Sequence, residues 1–340
     1  MAHIEANGTV PSVPDADPPP LVLAEVGESG LLARLFPLLA QGPGTLLGPG
    51  DDAALVAAPD GRVVVSTDVL VEGRDFRRDW SSAQDVGWKA AAQNLADVAA
   101  MGAVPTALVV ALVAPGDLPV QWALDLAQGL AAACEGTGAS VVGGDLSSGD
   151  CITVSVTALG DLQGRTPVLR SGARPGQDVA LAGTLGRSAA GLHALGQWGP
   201  ELAQRRLPEL LAAHRRPCPP YAAGPAAASA GASAMLDVSD GLLRDAGRIA
   251  TASGVTIDLD AGPLGTRVEE LRAAGQALGA DAWSWVLGGG EDHGLLAVFP
   301  PGRAPAGFVV VGRTRAGGPV PVLVAGRAPD AVGGWDHFAP

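Results

Sequence analysis

The stretch SAQDVGWKAAAQNLADVAAM, residues 82–101, constrains the fold more than any other. Ser82 is placed to cap a helix, alanine and leucine fill it, and Gly102 ends it. Lys89, Gln93 and Asp97 recur at i, i+4 and i+8 and share one face, with Asn94 beside them. On an alanine-rich helix such a stripe is either a solvent face or the wall of a polar site, and spacing alone leaves both open. The helix is bracketed by RVVVSTDVLV (residues 62–71) and ALVVALVAP (107–115), whose β-branched runs predict buried strands.

The rest of the chain mixes the same two periods. An amphipathic helix is expected over 27–42, interrupted by Pro37, and a further helix over about 119–136. SVVGGDLS and residues 152–162 read as strands. RSGARPGQD (170–178) is a turn-rich hinge. Beyond it DVALAG is a strand, TLGRSAAGLHAL opens a helix, and MLDVSDGLLRDAGRIATASG turns from strand to helix. VTIDLD is a strand, 267–279 a helix, and LLAVFP and FVVVGRT are strands. Direct strand-to-strand links predict an α+β class rather than strict βαβ winding. At 340 residues the prior is two domains of roughly 100–200 residues each. The boundary is placed near 165: a disordered tail over 1–24, an N-terminal domain over 25–165 and a C-terminal domain over 166–340. No short internal repeat is evident.

Composition narrows the chemistry. The net charge of −13 and the 4% aromatic content argue against nucleic acid and anionic membranes as partners. Lys89 is the only lysine, so there is no GxxxxGK[ST] phosphate loop, and a Schiff base would have to form on that one residue. Cys134, Cys151 and Cys218 are odd in number and form no CxxC, which fits reduced thiols in a cytoplasmic protein. The five histidines show no HExxH or HxH spacing. Residues 1–24 lack the basic and apolar regions of a signal peptide. The longest apolar run falls far short of the ~20 residues a membrane span needs.

Against this sparsely charged background, acids cluster in short motifs: GPGDDAAL (48–55), STD (66–68), GGD (143–145), DVSDGL (237–242) and GGGEDH (288–293). A carboxylate cannot touch phosphate directly, since both are negative. Carboxylates at strand ends, followed by glycine or a helix start, suit phosphate chemistry through Mg²⁺, which takes oxygen ligands. Each motif has a plainer reading. GDD can be a turn, STD a strand end, and GGD a tight turn with an N-cap. In DVSDGL, Ser239 or Asp240 can cap the following helix, and the GTLGRSAAG glycines can be a turn rather than a phosphate cradle.

The ordered set GDDAAL, STDVLVEG, KAAAQNLADVAAMGA, GGD, RSGARPG, DVSDGL and GGED resembles the thiamine-monophosphate kinase family, from about Gly27 to the C-terminal GGWDHF. The resemblance implies the two-domain α+β fold shared with aminoimidazole ribonucleotide synthetase. In it the N-terminal mixed sheet forms a barrel across a homodimer interface, followed by a C-terminal α/β sandwich. It implies ATP-dependent conversion of thiamine monophosphate to thiamine diphosphate by direct in-line transfer, assisted by several Mg²⁺ ions. Carried over by motif, Asp52, Ser66, Thr67, Asp68, Asp97, Asp145, Asp237 and Asp240 are metal ligands, Ser66 and Thr67 partly through backbone. Gly144, Asp145, Arg170 and Ser239 contact ATP, and Asp75, Glu291 and Trp335 lie near the acceptor. No side-chain acid or base is required, because the nucleophile is an ionised phosphate oxygen.

Two positions depart from the family pattern. VEGRDF places Asp75 where VEGxHF has histidine near the substrate phosphate, and the loop after GGED reads HGL, with His293, in place of YEL. These bear on substrate identity or rate. The alternatives are a related ATP-dependent enzyme with another acceptor, or a weakened nucleotide-binding paralogue. Selenophosphate synthetase needs a reactive cysteine with a lysine near the N-terminus, and the hydrogenase-maturation member ends in cysteine. This chain has neither.

Overall fold

The computed structural model describes residues 20–50, 53–329 and 334. Two sheets organise it. The first contains β3 (Val64–Val71), β4 (Val104–Ala114), β5 (Val141–Ser148) and β6 (Thr153–Asp161), in the order β3-β6-β4-β5. A small pair, β1 (Thr45–Leu47) and β2 (Leu55–Val56), precedes it. Helices α2 (Ala83–Ala100) and α3 (Val120–Cys134) cover one face of the larger sheet, and α1 (Leu23–Leu35) packs on α3.

The residues dictate these elements. The backbone N–H of Asp85 donates to Ser82 Oγ and that of Ser82 to Asp85 Oδ2, a capping box that starts α2. Alanines along α2 let it lie close to the sheet, and Leu95, Val98, Ala91 and Ala92 are buried there. In β3 the even positions through Leu70 turn toward this core, while Val65 and Val69 are exposed on the opposite face. α1 begins at Leu23, ahead of the expected start and inside the segment assigned to the tail, and is kinked at Gly27. Pro37 ends it in a 3₁₀ turn.

The second sheet has six strands in the order β12-β9-β11-β7-β10-β8. These are β7 (Asp178–Ala182), β8 (Ala234–Val238), β9 (Val255–Leu259), β10 (Gly294–Phe299), β11 (Val309–Ala316) and β12 (Val322–Val324). All pairings are antiparallel except β12 with β9. Helices α4 (Arg187–Arg206), α5 (Pro208–Arg215), α7 (Leu242–Ser253), α8 (Ala261–Leu278) and α9 (Ala282–Gly288) contribute to its main core. The short α6 (Ala223–Ser229) packs between β10 and α2 in a smaller cluster with Met235 and Phe299. β7, β8 and β10 are buried throughout, which is why they read as continuous apolar runs. Among the described residues no helix is long and apolar enough to cross a membrane.

Candidate active site

β8 and β10 are antiparallel neighbours, with Val238 opposite Gly294 and Asp237 opposite Leu295. This register brings the DVSDGL and GGGEDH stretches side by side. The N–H of Glu291 donates to Ser239 O at 2.9 Å and that of His293 to Val238 O at 3.2 Å. A Cβ on Gly290 would lie 2.1 Å from Ser239 O, so only glycine admits this approach. Glu291 (φ 62) and His293 (φ 52) are both left-handed, a strain of order 1–3 kcal/mol each that concentrates at functional sites.

The polar stripe of α2 faces these loops rather than solvent. With Asp68 of β3 and the turn that follows β3, it encloses a cavity of about 810 Å³. Asp68, Asp97, Asp237, Asp240 and Glu291 line it, joined by Asp75, Arg74, Arg170 and Ser239. Ser66 Oγ donates to Asp97 Oδ2 at 2.7 Å. Burial, and then the charges of Asp237 and Asp68, push the Asp97 carboxyl up to about 7. Burial likewise raises Asp68, with Asp237 adding to it and His293 opposing it. His293 Nδ1 lies 2.9 Å from Asp237 Oδ2. Burial alone would depress this imidazole, but the bond and charge of Asp237 hold it above its usual range.

Asp237 is buried, Asp68 and Asp97 are half-buried, and His293 is the positive group that bears on all three carboxylates. That excess of oxygen donors fits a hard divalent cation. Among the described residues no three His, Cys, Asp or Glu side chains form a ready-made metal cage. Mg²⁺ commonly takes one or two carboxylates and completes its shell with substrate phosphates and water, and the donor set suits that mode.

Glu291 is engaged elsewhere. Lys89 Nζ is 3.1 Å from both of its carboxylate oxygens, His214 Nδ1 is 3.2 Å away and Ser188 Oγ 3.3 Å. Burial would raise this carboxyl, but Lys89 and the bond from His214 outweigh it and hold it well below the usual range. His214 is pushed below its own usual value, first by burial and then by Lys89. Glu291 thus meets a ligand as part of a compensated network.

The remaining sequence-predicted residues divide. Asp52 and Trp335 lie outside the described residues. Thr67 is on the opposite sheet face from Ser66 and Asp68, and its hydroxyl donates to Val156 O at 3.0 Å, which leaves its backbone for any ligand role. Asp68 and Asp145 lie within β3 and β5, not at strand ends. Asp145 and Gly144 do not join the acidic cavity. β5 lies three strand spacings from β3, roughly 14 Å, and Asp145 pairs with Ala111 on the face away from α2. Both residues line a second cavity of about 880 Å³. A Cβ on Gly144 would lie 1.9 Å from Val110 O, so close strand approach already requires this glycine.

Asp240 Oδ2 accepts from Arg248 at 2.5 Å, and the N-cap of α7 is Gly241, so neither Ser239 nor Asp240 caps that helix. The N–H groups of Arg187 and Ser188 at the start of α4 are taken by Asp292, so the GTLGRS glycines do not offer this helix end to phosphate. Gln93 and Trp80 line the acidic cavity, and His214 and Ser188 join its network; none was singled out as a site residue from sequence. Only the i, i+4, i+8 stripe signalled Gln93.

Comparison with known proteins now bears on this geometry. Thiamine-monophosphate kinase of Mycobacterium tuberculosis is 52% identical over 316 residues, covering 93% of each protein. The chain belongs to the thiamine-monophosphate kinase family. The model of the AIR synthase related protein N-terminal domain matches residues 50–162, which contain β3 to β6 with α2 and α3. The thiamine-monophosphate kinase from Stenotrophomonas maltophilia K279a superposes with a TM-score of 0.72 at 31% identity, covering 88% of this chain and 96% of that one. The structure described as AaThiL complexed with AMPPCP and TMP gives 0.71 at 31% identity, over 93% and 98%. The fold is accordingly the two-domain AIR synthase-like α+β arrangement, and the acidic cavity lies where its two halves meet.

Proposed function

We propose that the chain transfers the γ-phosphoryl group of ATP to thiamine monophosphate, giving ADP and thiamine diphosphate. Family membership supports the reaction. The observation that carries the site assignment is the convergence of Asp68, Asp97 and Asp237 in one cavity with the Asp97 carboxyl raised to about 7. Asp68, Asp97, Asp237 and the other carboxylate oxygen of Asp240 would hold Mg²⁺, with Asp52 as a further ligand. Bound there, Mg²⁺ supplies charge neutralisation between donor and acceptor phosphates. Arg170 and Ser239 orient the nucleotide from the same cavity. His293 fixes the Asp237 carboxylate, and Lys89 keeps Glu291 ionised and in place. The acceptor oxygen is already ionised, so no side chain need remove a proton, and transfer is direct.

A homodimer is part of this reading. Val65 of β3 is 60% exposed, Val69 48% and Val109 of β4 39%, a row of β-branched side chains on the sheet face opposite α2. Pairing of two such faces covers it and closes the 25–165 domains on each other, with 166–340 outside. In this reading Asp145 serves the nucleotide from this face, and Gly144 beside it contributes through its backbone. The direct test is formation of thiamine diphosphate and ADP from ATP and thiamine monophosphate, with and without chelator. Equimolar, metal-dependent products support the proposal, and ADP without thiamine diphosphate refutes it.

A further inference from the structure

The turn that follows β3 closes on itself. The N–H groups of Arg74 and Asp75 donate to Val71 O at 3.1 and 2.9 Å, and that of Gly73 donates to Phe76 O at 2.8 Å. Asp75 Oδ2 in turn accepts from Val71 N at 2.8 Å. The Asp75 carboxylate is therefore folded back on its own backbone as a staple, and one of its oxygens is withdrawn from the cavity that the residue lines.

The arginines of this turn have different fates. Arg78 Nε donates to Glu72 at 2.5 Å. Arg77 is paired with Asp79 at 2.7 Å and stacks on Trp80, 4.3 Å from the ring centroid. Arg74 has no acid, acceptor or ring partner for its guanidinium among the described residues, and it lines the acidic cavity. Arg170 is the other such arginine there; its carbonyl accepts from Ser253, but its side chain has no hydrogen-bond or ion-pair partner among the described residues. A guanidinium near several carboxylates ordinarily pairs with one of them. Two that line an acid-rich cavity unpaired leave planar donor forks for an anion, and the fork matches phosphate in bidentate fashion.

We propose that Arg74 is the specificity-determining residue of this turn, binding the phosphate monoester of the acceptor, while Asp75 holds the turn that presents it. The inference rests on the proposed kinase reading. It separates the acceptor's phosphate from its heterocyclic part: Arg74 recognises the former only. Arg74 is exposed and its side chain makes no hydrogen bond or ion pair among the described residues, so its replacement removes no such interaction from the fold.

The test is a cycle of two ligands and three proteins. Equilibrium binding of thiamine monophosphate and of unphosphorylated thiamine is measured for wild type, Arg74→Gln and Arg74→Lys. Arg74→Gln is expected to weaken thiamine monophosphate on the order of 10–100-fold and leave thiamine unchanged. Arg74→Lys recovers part of the loss, because it keeps the charge but not the fork. In turnover the Arg74→Gln effect falls on KM for the acceptor and not on KM for ATP. Equal weakening of both ligands, or of neither, overturns the assignment. A wild-type protein that fails to bind or phosphorylate thiamine monophosphate overturns the kinase reading itself, and the wild-type arm shows this independently of the variants.

Discussion

Lys89 Nζ lies 3.1 Å from both carboxylate oxygens of Glu291, joining the helix that covers one sheet to the loop that opens β10 of the other across 202 residues of sequence. Lys89 is 4% exposed and Glu291 36%. Lys89→Met leaves a carboxylate without its main counter-charge. Because Glu291 retains some solvent, the expected loss is no more than about 3 kcal/mol, the low end for fully buried pairs. Urea unfolding reads the loss. Hydrogen exchange of 288–293 should accelerate in the variant, and unchanged exchange would show that the pair does not hold this loop.

Asp97→Asn separates function from stability. It removes a cluster carboxylate but keeps an acceptor for Ser66 Oγ. Turnover should fall by more than ~100-fold, beyond what loss of an outer-shell metal contact costs. In metal-free protein the variant should be more stable than wild type. The sign follows from a folded value near 7 against 3.8 unfolded. Above pH 7 the folded state bears the full penalty of an ionised Asp97, and the penalty fades as pH falls toward 4. The Tm gain should therefore be larger at pH 8 than at pH 5.

His214 makes a prediction of opposite slope. Its folded pKa lies below 6.5 because of burial and then Lys89. Above pH 6.5 the imidazole is neutral in both states and contributes no pH dependence. Below it the unfolded chain takes up a proton that the folded chain refuses, so stability declines. His214→Asn, which keeps a polar group near the Nδ1 position, should flatten the loss of Tm between pH 7 and 5.5. An unaltered slope would show that other groups carry it.

Gly290→Ala tests the loop contact. The new Cβ overlaps Ser239 O and forces the two loops apart, costing roughly 1–3 kcal/mol as an overpacking change. Activity should fall further than stability implies, since both loops carry cavity residues. Activity retained at the level expected from stability alone would show that the loop spacing is not critical.

Local patterns in the sequence were legible where one short stretch decides the outcome. Ser82 caps α2 as its spacing indicates, and of the Lys89, Gln93 and Asp97 face Gln93 and Asp97 line the cavity while Lys89 pairs with Glu291. What the motifs do to one another depends on strand order and register. STD and GGD look alike in sequence, yet they lie on strands at opposite edges of one sheet, with Asp68 and Asp145 on opposite faces. The glycines of GGD can be read as a tight turn; in the fold Gly144, like Gly290, is set by close backbone approach. The pairing of Glu291 with Lys89 joins segments with no local signal for each other. Asp75 departs from the family pattern in type, and only the turn geometry shows that its carboxylate is tied to Val71.

The central claim is transfer of the ATP γ-phosphoryl group to the acceptor phosphate at the Asp68, Asp97 and Asp237 cluster. Phosphorus NMR of ATP, Mg²⁺ and thiamine monophosphate with the purified protein follows it directly. The account predicts that the diphosphate resonances of thiamine diphosphate grow in step with those of ADP, without free phosphate, in wild type and not in Asp97→Asn. ADP accumulating with inorganic phosphate, or wild-type rates in the variant, would contradict it.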